Sequence, residues 1–419
     1  MTAHIAIWAI AAASLLLMLA RPFRIPEVVW TAAAALLLCV LRLISWRMAG
    51  HAVAAGLDVY LFLTGMMLLS ELARSHGVFD WLASVAVDHA HGSPARLFTL
   101  IYGVGIVVTA LMSNDATAVV LTPAVLTAVK RANARPMPYL LTCALIANAA
   151  SFVLPISNPA NLVVFHSGVP PLFRWLAMFA LPSLVSIAVT YALLRWYCRG
   201  DLRASTAVRD GDRRLTGGGK LTLFGILAVA VVLLVASAMK KDLGLPTCVA
   251  AVAIAAVVEI RERANPWRMV REISWSVLPL VAALFTIVEA VKSAGALELL
   301  RAGLLHASEW PASAGSLVVG GALGFGTNLV NNLPLGLLAG DAVHSLPSLP
   351  PMMAKAVLIG IDLGPNLSIT GSLATILWLI AIRREGLHVS GWQFLKAGAL
   401  IMPPALLLTL LSSLLVGPR

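Results

Sequence analysis

The chain has 419 residues, 60% of them hydrophobic and 12% charged, with a mean hydropathy of +0.91. Soluble domains carry about 25% charged residues, so this composition points to a polytopic membrane protein lying in a lipid bilayer. The net charge of +11 does not indicate nucleic acid, because the basic residues sit in short hops between apolar runs and form no face interleaved with aromatics.

Runs of about 17–25 apolar residues are each long enough to cross a bilayer as helix. Such spans are expected near 2–20, 28–47, 56–74, 138–165 and 171–197, then 221–239, 244–260, 274–291, 354–380 and 395–416. The first run has almost no basic lead-in and continues as a full span, so no cleavable signal peptide is expected there. Two further stretches, 97–129 and 312–342, contain polar breaks and read as re-entrant hairpins of two half-helices. Unwound backbone at that depth is tolerated only where protein or a water-filled cavity covers it. The stretch 76–91 reads as an interfacial amphipathic helix.

The loop 199–220 is the one long linker, and it divides the chain into halves, 1–198 and 221–419. With that loop inside, 19 Lys and Arg residues fall on the inner side and 8 on the outer. This bias places both termini outside. Five spans per half then invert the second copy relative to the first. The expected fold is an all-α polytopic membrane protein of two inverted repeats, each with five transmembrane helices and one hairpin, and broken helices at the midplane. Repeats of this kind place a transport site near the middle of the membrane.

The polar breaks carry the chemistry. Ser113-Asn114-Asp115-Ala116-Thr117 interrupts the first hairpin, and Thr327-Asn328-Leu329-Val330-Asn331-Asn332-Leu333-Pro334 the second. An Asp at the centre of a bilayer costs about 2.5–3.5 kcal/mol, which makes Asp115 a functional candidate. It also stands where a helix N-cap is favoured, and both roles are compatible. Asn148, Ser151, Ser157, Asn158 and Asn161 interrupt the span 138–165, where Pro155 and Pro159 forbid regular helix. Asp362, Asn366, Ser368, Thr370 and Ser372 interrupt 354–380. Asp362 is the second intramembrane carboxylate, with a structural role as acceptor for unwound backbone as the alternative. Asn114 and Asn331 stand 217 positions apart, and Ser157 and Thr370 213, which pairs the breaks of the two halves.

Elsewhere, Asp58, Glu71 and Glu289 lie near span ends, where snorkelling or pairing with a cation explains them. Four scattered cysteines, Cys39, Cys143, Cys198 and Cys248, argue against a disulfide framework, and the His and Cys spacing indicates no metal site. No P-loop, HExxH or paired catalytic carboxylates occur, so neither a nucleotide-binding module nor an intramembrane hydrolase is expected.

Four stretches carry a family resemblance: SNDATAVVLTPAVL (113–126), ANAASFVLPISNPANLV (147–163), NLVNNLPLGLLAG (328–340) and IGIDLGPNLSITGSLATILWL (359–379). On these the chain resembles the bacterial arsenite efflux membrane proteins, within the superfamily that holds sodium/proton antiporters and dicarboxylate carriers. The resemblance implies export of arsenite and antimonite from the cytoplasm across the inner membrane in exchange for protons, without a cofactor. Its binding positions map onto Asn114, Asp115, Asn158, Asn331, Asn332 and Asp362. It allows a soluble arsenite-stimulated ATPase docked on the inner loops, and leaves the oligomeric state open. The dicarboxylate carriers show Ser-Asn-Thr at both tips, whereas this chain reads Ser-Asn-Asp and Val-Asn-Asn. An acidic tip suits a proton or cation and repels an anion.

The expected site therefore comprises Asn114, Asp115, Thr117, Asn148, Ser157, Asn158, Asn161, Asn328, Asn331, Asn332, Asp362, Thr370 and Ser372. Asp115 is expected to alternate between a proton and the substrate, and Asp362→Asn to impair transport through coupling or through folding. Rival readings are a sodium/proton antiporter using Asp115 as cation ligand, with Na+ as coupling ion, and an exporter of silicic or boric acid.

Overall fold

A computed structural model describes the chain apart from residues 1, 21, 23, 24, 166, 167, 204–213, 240 and 417–419. Arg21, Arg24, Arg209, Arg213, Lys240 and Arg419 of the charge count therefore lie outside the described residues. The described residues form helices and no strand. The first half begins with α1 (Thr2–Ala20), α2 (Glu27–Val40), α3 (Trp46–Ala55), α4 (Leu57–Ser75) and α5 (Val78–Ala90). It continues with α6 (Pro94–Leu111), α7 (Asn114–Ala116), α8 (Thr122–Arg131), α9 (Met137–Ala149), α10 (Pro159–Val164) and α11 (Leu172–Tyr197). The second half has α12 (Gly217–Ala238), α13 (Gly244–Glu262), α14 (Pro266–Glu272), α15 (Val277–Ser293) and α16 (Ala296–Ser308). After these come α17 (Ala312–Val330), α18 (Asn332–His344), α19 (Pro351–Leu363), α20 (Leu373–Arg384) and α21 (Gly391–Leu415).

Six of these helices are long and apolar enough to cross a membrane: α6, α11, α12, α13, α17 and α21. Two bent pairs, α3 with α4 at 49° and α14 with α15 at 40°, raise the number to eight if each is one span. Ten spans result only when each broken stretch counts as a single crossing. In the structure the stretch 138–165 is divided into α9 and α10, and 354–380 into α19 and α20. None of these pieces reaches the roughly 20 residues that a straight crossing needs. The expected span at 28–47 is also shorter, because α2 stops at Val40.

Each half follows one order: two helices, a bent pair, a short helix, a hairpin, a broken helix and a long closing helix. The halves interlock reciprocally. Helix α4 packs along α13 while α15 packs along α2, α10 packs on α18 while α20 packs on α8, and the closing helices α11 and α21 pack on each other. The hairpins fold back on themselves. The Tyr139 hydroxyl at the start of α9 donates to the Pro94 carbonyl at the start of α6 (3.2 Å), so α6 begins and α8 ends at one end of the molecule. Helices α5 and α16 pack across both arms of the first and second hairpins respectively. The short helix α5 buries Val78, Phe79, Ala83, Ala86 and Val87, which satisfies its apolar face against protein.

Ionisable residues near helix ends find partners. Arg74 donates to Glu71 twice (2.6 and 2.9 Å), Lys292 bridges Glu289 (2.9 Å) and Asp341 (2.7 Å), and Asp58 accepts from the Gly244 amide (2.7 Å). Lys355 is buried, and donates to the carbonyls of Ser413 (3.2 Å) and Val416 (2.7 Å) at the C-terminal end of α21. That is where a helix leaves unpaired acceptors and a partial negative charge.

Helix α17 meets α19 through glycine. A Cβ at Gly360 would lie 2.4 Å from the Gly320 carbonyl oxygen and 3.1 Å from the Gly324 amide. Both obstacles are backbone, so the helices would have to part. Gly360→Val is expected to cost about 2–4 kcal/mol by overpacking, read as a lowered unfolding midpoint in detergent.

Candidate functional site

The first hairpin turns at Ser113, whose hydroxyl accepts from the Ala116 amide (3.3 Å) as N-cap. Helix resumes at Asn114 but widens into a π-turn over Thr117–Leu121. Pro123 explains the widening: it lacks an N–H, and its ring would strike a carbonyl one turn earlier. The Thr122 hydroxyl donates to the Thr117 carbonyl (3.1 Å). The Thr117 hydroxyl pairs with that of Thr109 across the hairpin (2.8 Å). Asp115 is half-buried, and no hydrogen bond or ion pair engages its carboxylate among the described residues.

The second hairpin turns at Asn331, with φ +75° and ψ 149°. Such backbone costs on the order of 1–3 kcal/mol outside glycine and persists where the surroundings fix it. Here the Asn331 amide nitrogen donates to the Thr327 carbonyl (2.7 Å), its Oδ1 accepts from the Leu333 amide (3.3 Å), and its Nδ2 donates to the Thr370 carbonyl (3.2 Å). Asn328 ties the same tip to the second broken helix, donating to the Gly364 carbonyl (3.0 Å) and accepting from Ser368 (2.7 Å) and Thr370 (2.8 Å). In the first half, Ser157 performs the matching task by donating to the Ala110 carbonyl of α6 (3.1 Å).

The broken helices restart at Asn158, which caps α10 through the Ala160 amide (3.0 Å), and at Ser372, which caps α20 through the Thr375 amide (3.1 Å). These caps set the register of the repeat. Ser113 corresponds to Asn331, Asn114 to Asn332, and Asn158 to Ser372. The pairings Asn114 with Asn331 and Ser157 with Thr370 are each displaced by one residue, because they match residue types where the structure matches cap positions.

Both tips and both restarts border one narrow pocket, lined by Asn114, Asp115, Asn158, Pro159, Asn332, Leu333, Ser372, Leu373 and Ala374. Leu63 of α4 and Val277 and Val281 of α15 close it with an apolar wall. The positions obey the repeat: Leu63 and Val281 are 218 apart, as are Asn114 and Asn332, and Asp115 and Leu333. The pocket thus lies where the halves meet, and among the described residues Asp115 is its only ionisable lining residue. The side-chain oxygens of Asn114 and Asn332 are buried without a hydrogen-bond partner. Helices beginning at 114, 332 and 373 direct unpaired N–H groups and a positive dipole end of up to about half a charge toward this space, and the short α10 adds less.

Of the thirteen expected site residues, Asn114, Asp115, Asn158, Asn332 and Ser372 line the pocket. Thr117, Ser157, Asn328, Asn331 and Thr370 lie behind it, in the bonds that shape the tips. Asn161 donates to the carbonyls of Ser151, Leu154 and Pro155 (2.9–3.3 Å) and holds the break of its own span. Asn148 and Asp362 are fully buried and also bond behind the lining. The apolar wall went unread in the sequence, although extending the 218-residue repeat from the tips to α4 and α15 finds Leu63 and Val281.

The sequence pattern of the CitMHS family, described as citrate transporter, matches residues 3–361. The chain belongs to this family. Its relatives include the arsenical pump membrane proteins of Escherichia coli K12 and Yersinia enterocolitica, each 27% identical over 389 residues, covering 87% of this chain and 86% of theirs. A transporter of Mycobacterium tuberculosis is 24% identical over 355 residues, 82% of each chain. Among solved structures, the Alcanivorax borkumensis YdaH transporter superposes with a TM-score of 0.53 at 15% identity, covering 88% of this chain and 86% of that one. This CitMHS member therefore shares the YdaH-type helical fold, and it is a multi-pass membrane transporter rather than an enzyme.

Proposed function

We propose that the chain exports arsenite and antimonite from the cytoplasm across the bacterial inner membrane in exchange for protons. The observation that carries this reading is the composition of the pocket: one carboxylate, two unpartnered amide oxygens and converging helix N-termini. Arsenous acid at neutral pH is an uncharged trihydroxide. It can donate to Asp115, Asn114 and Asn332 and accept from the N–H groups of the helix starts, so both senses of hydrogen bonding are matched. The similarity to arsenical pump proteins over 87% of the chain supports it.

Thiols would bind trivalent arsenic more tightly, but none of the four cysteines lines the pocket. Cys198, just beyond α11, is held as a thiol, since burial and then the Asp201 charge push it up to about 12. Contacts through oxygen and amide release more easily, as an exporter requires. Asn114→Leu and Asn332→Leu are each expected to raise the KM for arsenite about tenfold, because a hydroxyl left without its acceptor costs on the order of 1–3 kcal/mol. Initial rates in inverted vesicles measure this.

The reading includes the architecture: 1–198 and 221–419 as inverted repeats joined by the linker 199–220, with ten spans, two hairpins and external termini. The shared element order and reciprocal packing support it. During the cycle the hairpin-bearing elements rock or slide against the apolar wall of α4 and α15. A second reading, carriage of a polycarboxylate anion, is favoured by the converging helix N-termini and opposed by Asp115. Growth of a sensitive host on arsenite and antimonite, with and without a protonophore, tests the proposal. Resistance abolished by the protonophore is expected. No resistance, with citrate uptake instead, would select the anion carrier.

A further inference from the structure

Behind the pocket, two hydrogen-bonded clasps cross between the halves. Asp362, the penultimate residue of α19, accepts from Asn158 Nδ2 (2.9 Å) and Ser151 Oγ (2.8 Å) of the first half. Asn148 is the penultimate residue of α9, a helix of the same 13-residue length. Its Oδ1 accepts from Ser372 Oγ (3.3 Å), and its Nδ2 donates to Asn366 Oδ1 (3.0 Å) and Thr375 Oγ1 (3.3 Å) of the second half. Asn148 and Asp362 are 214 positions apart, and so are their partners Asn158 and Ser372. In each clasp, the end of one broken helix holds the N-cap that opens the other broken helix onto the pocket.

Neither Asn148 nor Asp362 lines the pocket, while both partners do. The corresponding place in the first half is filled by a neutral amide. The fold therefore asks position 362 for an acceptor, and the two halves meet that need with different chemistry. Lys355, two turns earlier on α19, is engaged at the end of α21.

We propose that Asp362 and Asn148 are a matched pair of positioning residues, which fix Asn158 and Ser372 at the pocket, and that Asp362 takes no part in ion exchange. The last clause rests on the export reading above and replaces the expectation that Asp362→Asn impairs transport.

The test compares Asp362→Asn, Asp362→Ala, Asn158→Ala and the Asp362→Ala/Asn158→Ala double variant in the full chain. Arsenite kinetics and their pH profile are read in inverted vesicles, and unfolding midpoints in detergent. Asp362→Asn is expected to keep the pH profile and a KM within about threefold, since an amide oxygen still accepts from Asn158. Asp362→Ala should raise KM about tenfold, the scale of a lost buried hydrogen bond. The double variant should melt no lower than the worse single one, because partners in one clasp are lost together. A folded Asp362→Asn protein with a flattened pH profile would make Asp362 an exchange group and overturn the proposal. Additive losses in midpoint would remove the clasp itself. Should the unmodified protein move no arsenite, the export reading fails alone, and the melting cycle still decides the clasp.

Discussion

Asp115→Asn is expected to reduce proton-driven arsenite transport by at least about 100-fold while leaving the unfolding midpoint within a few degrees of wild type. The substitution keeps the size of the side chain, and Ser113 rather than Asp115 caps the helix, so the helix start at 114 should survive. What it removes is the only ionisable side chain lining the pocket among the described residues. The energetic stake follows from the membrane potential. One charge moved through 100 mV supplies about 2.3 kcal/mol, and at about 1.4 kcal/mol per tenfold this sustains a gradient of roughly fortyfold before any pH term. A variant without the exchanging group has no access to that energy and can at best equilibrate the substrate. Arsenite accumulation in inverted vesicles, with and without an imposed potential, measures the loss. Retained, pH-dependent accumulation would remove Asp115 from the exchange.

Exchanging the acid between the halves should restore what Asp115→Leu removes. Asp115 and Leu333 occupy matching positions on the two tips, each the second residue of the restarted helix, and both line the pocket. If the site depends on one carboxylate at the meeting of two similar halves, either tip can carry it. The Asp115→Leu/Leu333→Asp variant is therefore expected to export at least about tenfold faster than Asp115→Leu alone, as coupled neighbouring sites allow. Leu333→Asp alone places two carboxylates in one pocket, where they repel, and its coupling should shift toward two exchanged charges per cycle. Charge movement per arsenite, measured in proteoliposomes held at set potentials, separates these outcomes. Failure of the exchanged variant at a normal expression level and midpoint would mean that the first tip alone gates the acid.

Much of this site was legible because bilayer sequence makes polar residues expensive. Asn114, Asp115, Asn332 and the breaks at Asn158 and Ser372 stand out against apolar runs, and the structure brings them to one pocket. Their division into lining and supporting residues was not legible. Asn331 and Asn332 are identical in type and adjacent, yet Asn331 caps α18 while the side-chain oxygen of Asn332 stays unpartnered. Only the cap geometry separates them. For the same reason composition cannot assign a role to Asp362, which accepts from Ser151 and Asn158: the cost of burying a carboxylate marks it equally whether it meets substrate or hydrogen-bond donors of the fold. The wall residues Leu63, Val277 and Val281 carried no compositional signal in a chain that is 60% hydrophobic.

In the proposed cycle, protons and arsenite exchange through the pocket between the two tips. Purified protein in sealed proteoliposomes, loaded with arsenite and given an inward proton gradient, tests it most directly. Arsenite efflux is expected to scale with the imposed gradient, to reverse in direction when the gradient is reversed, and to be accompanied by proton entry that stops in Asp115→Asn. Arsenite efflux indifferent to the gradient, with no accompanying proton movement in the unmodified protein, would contradict it.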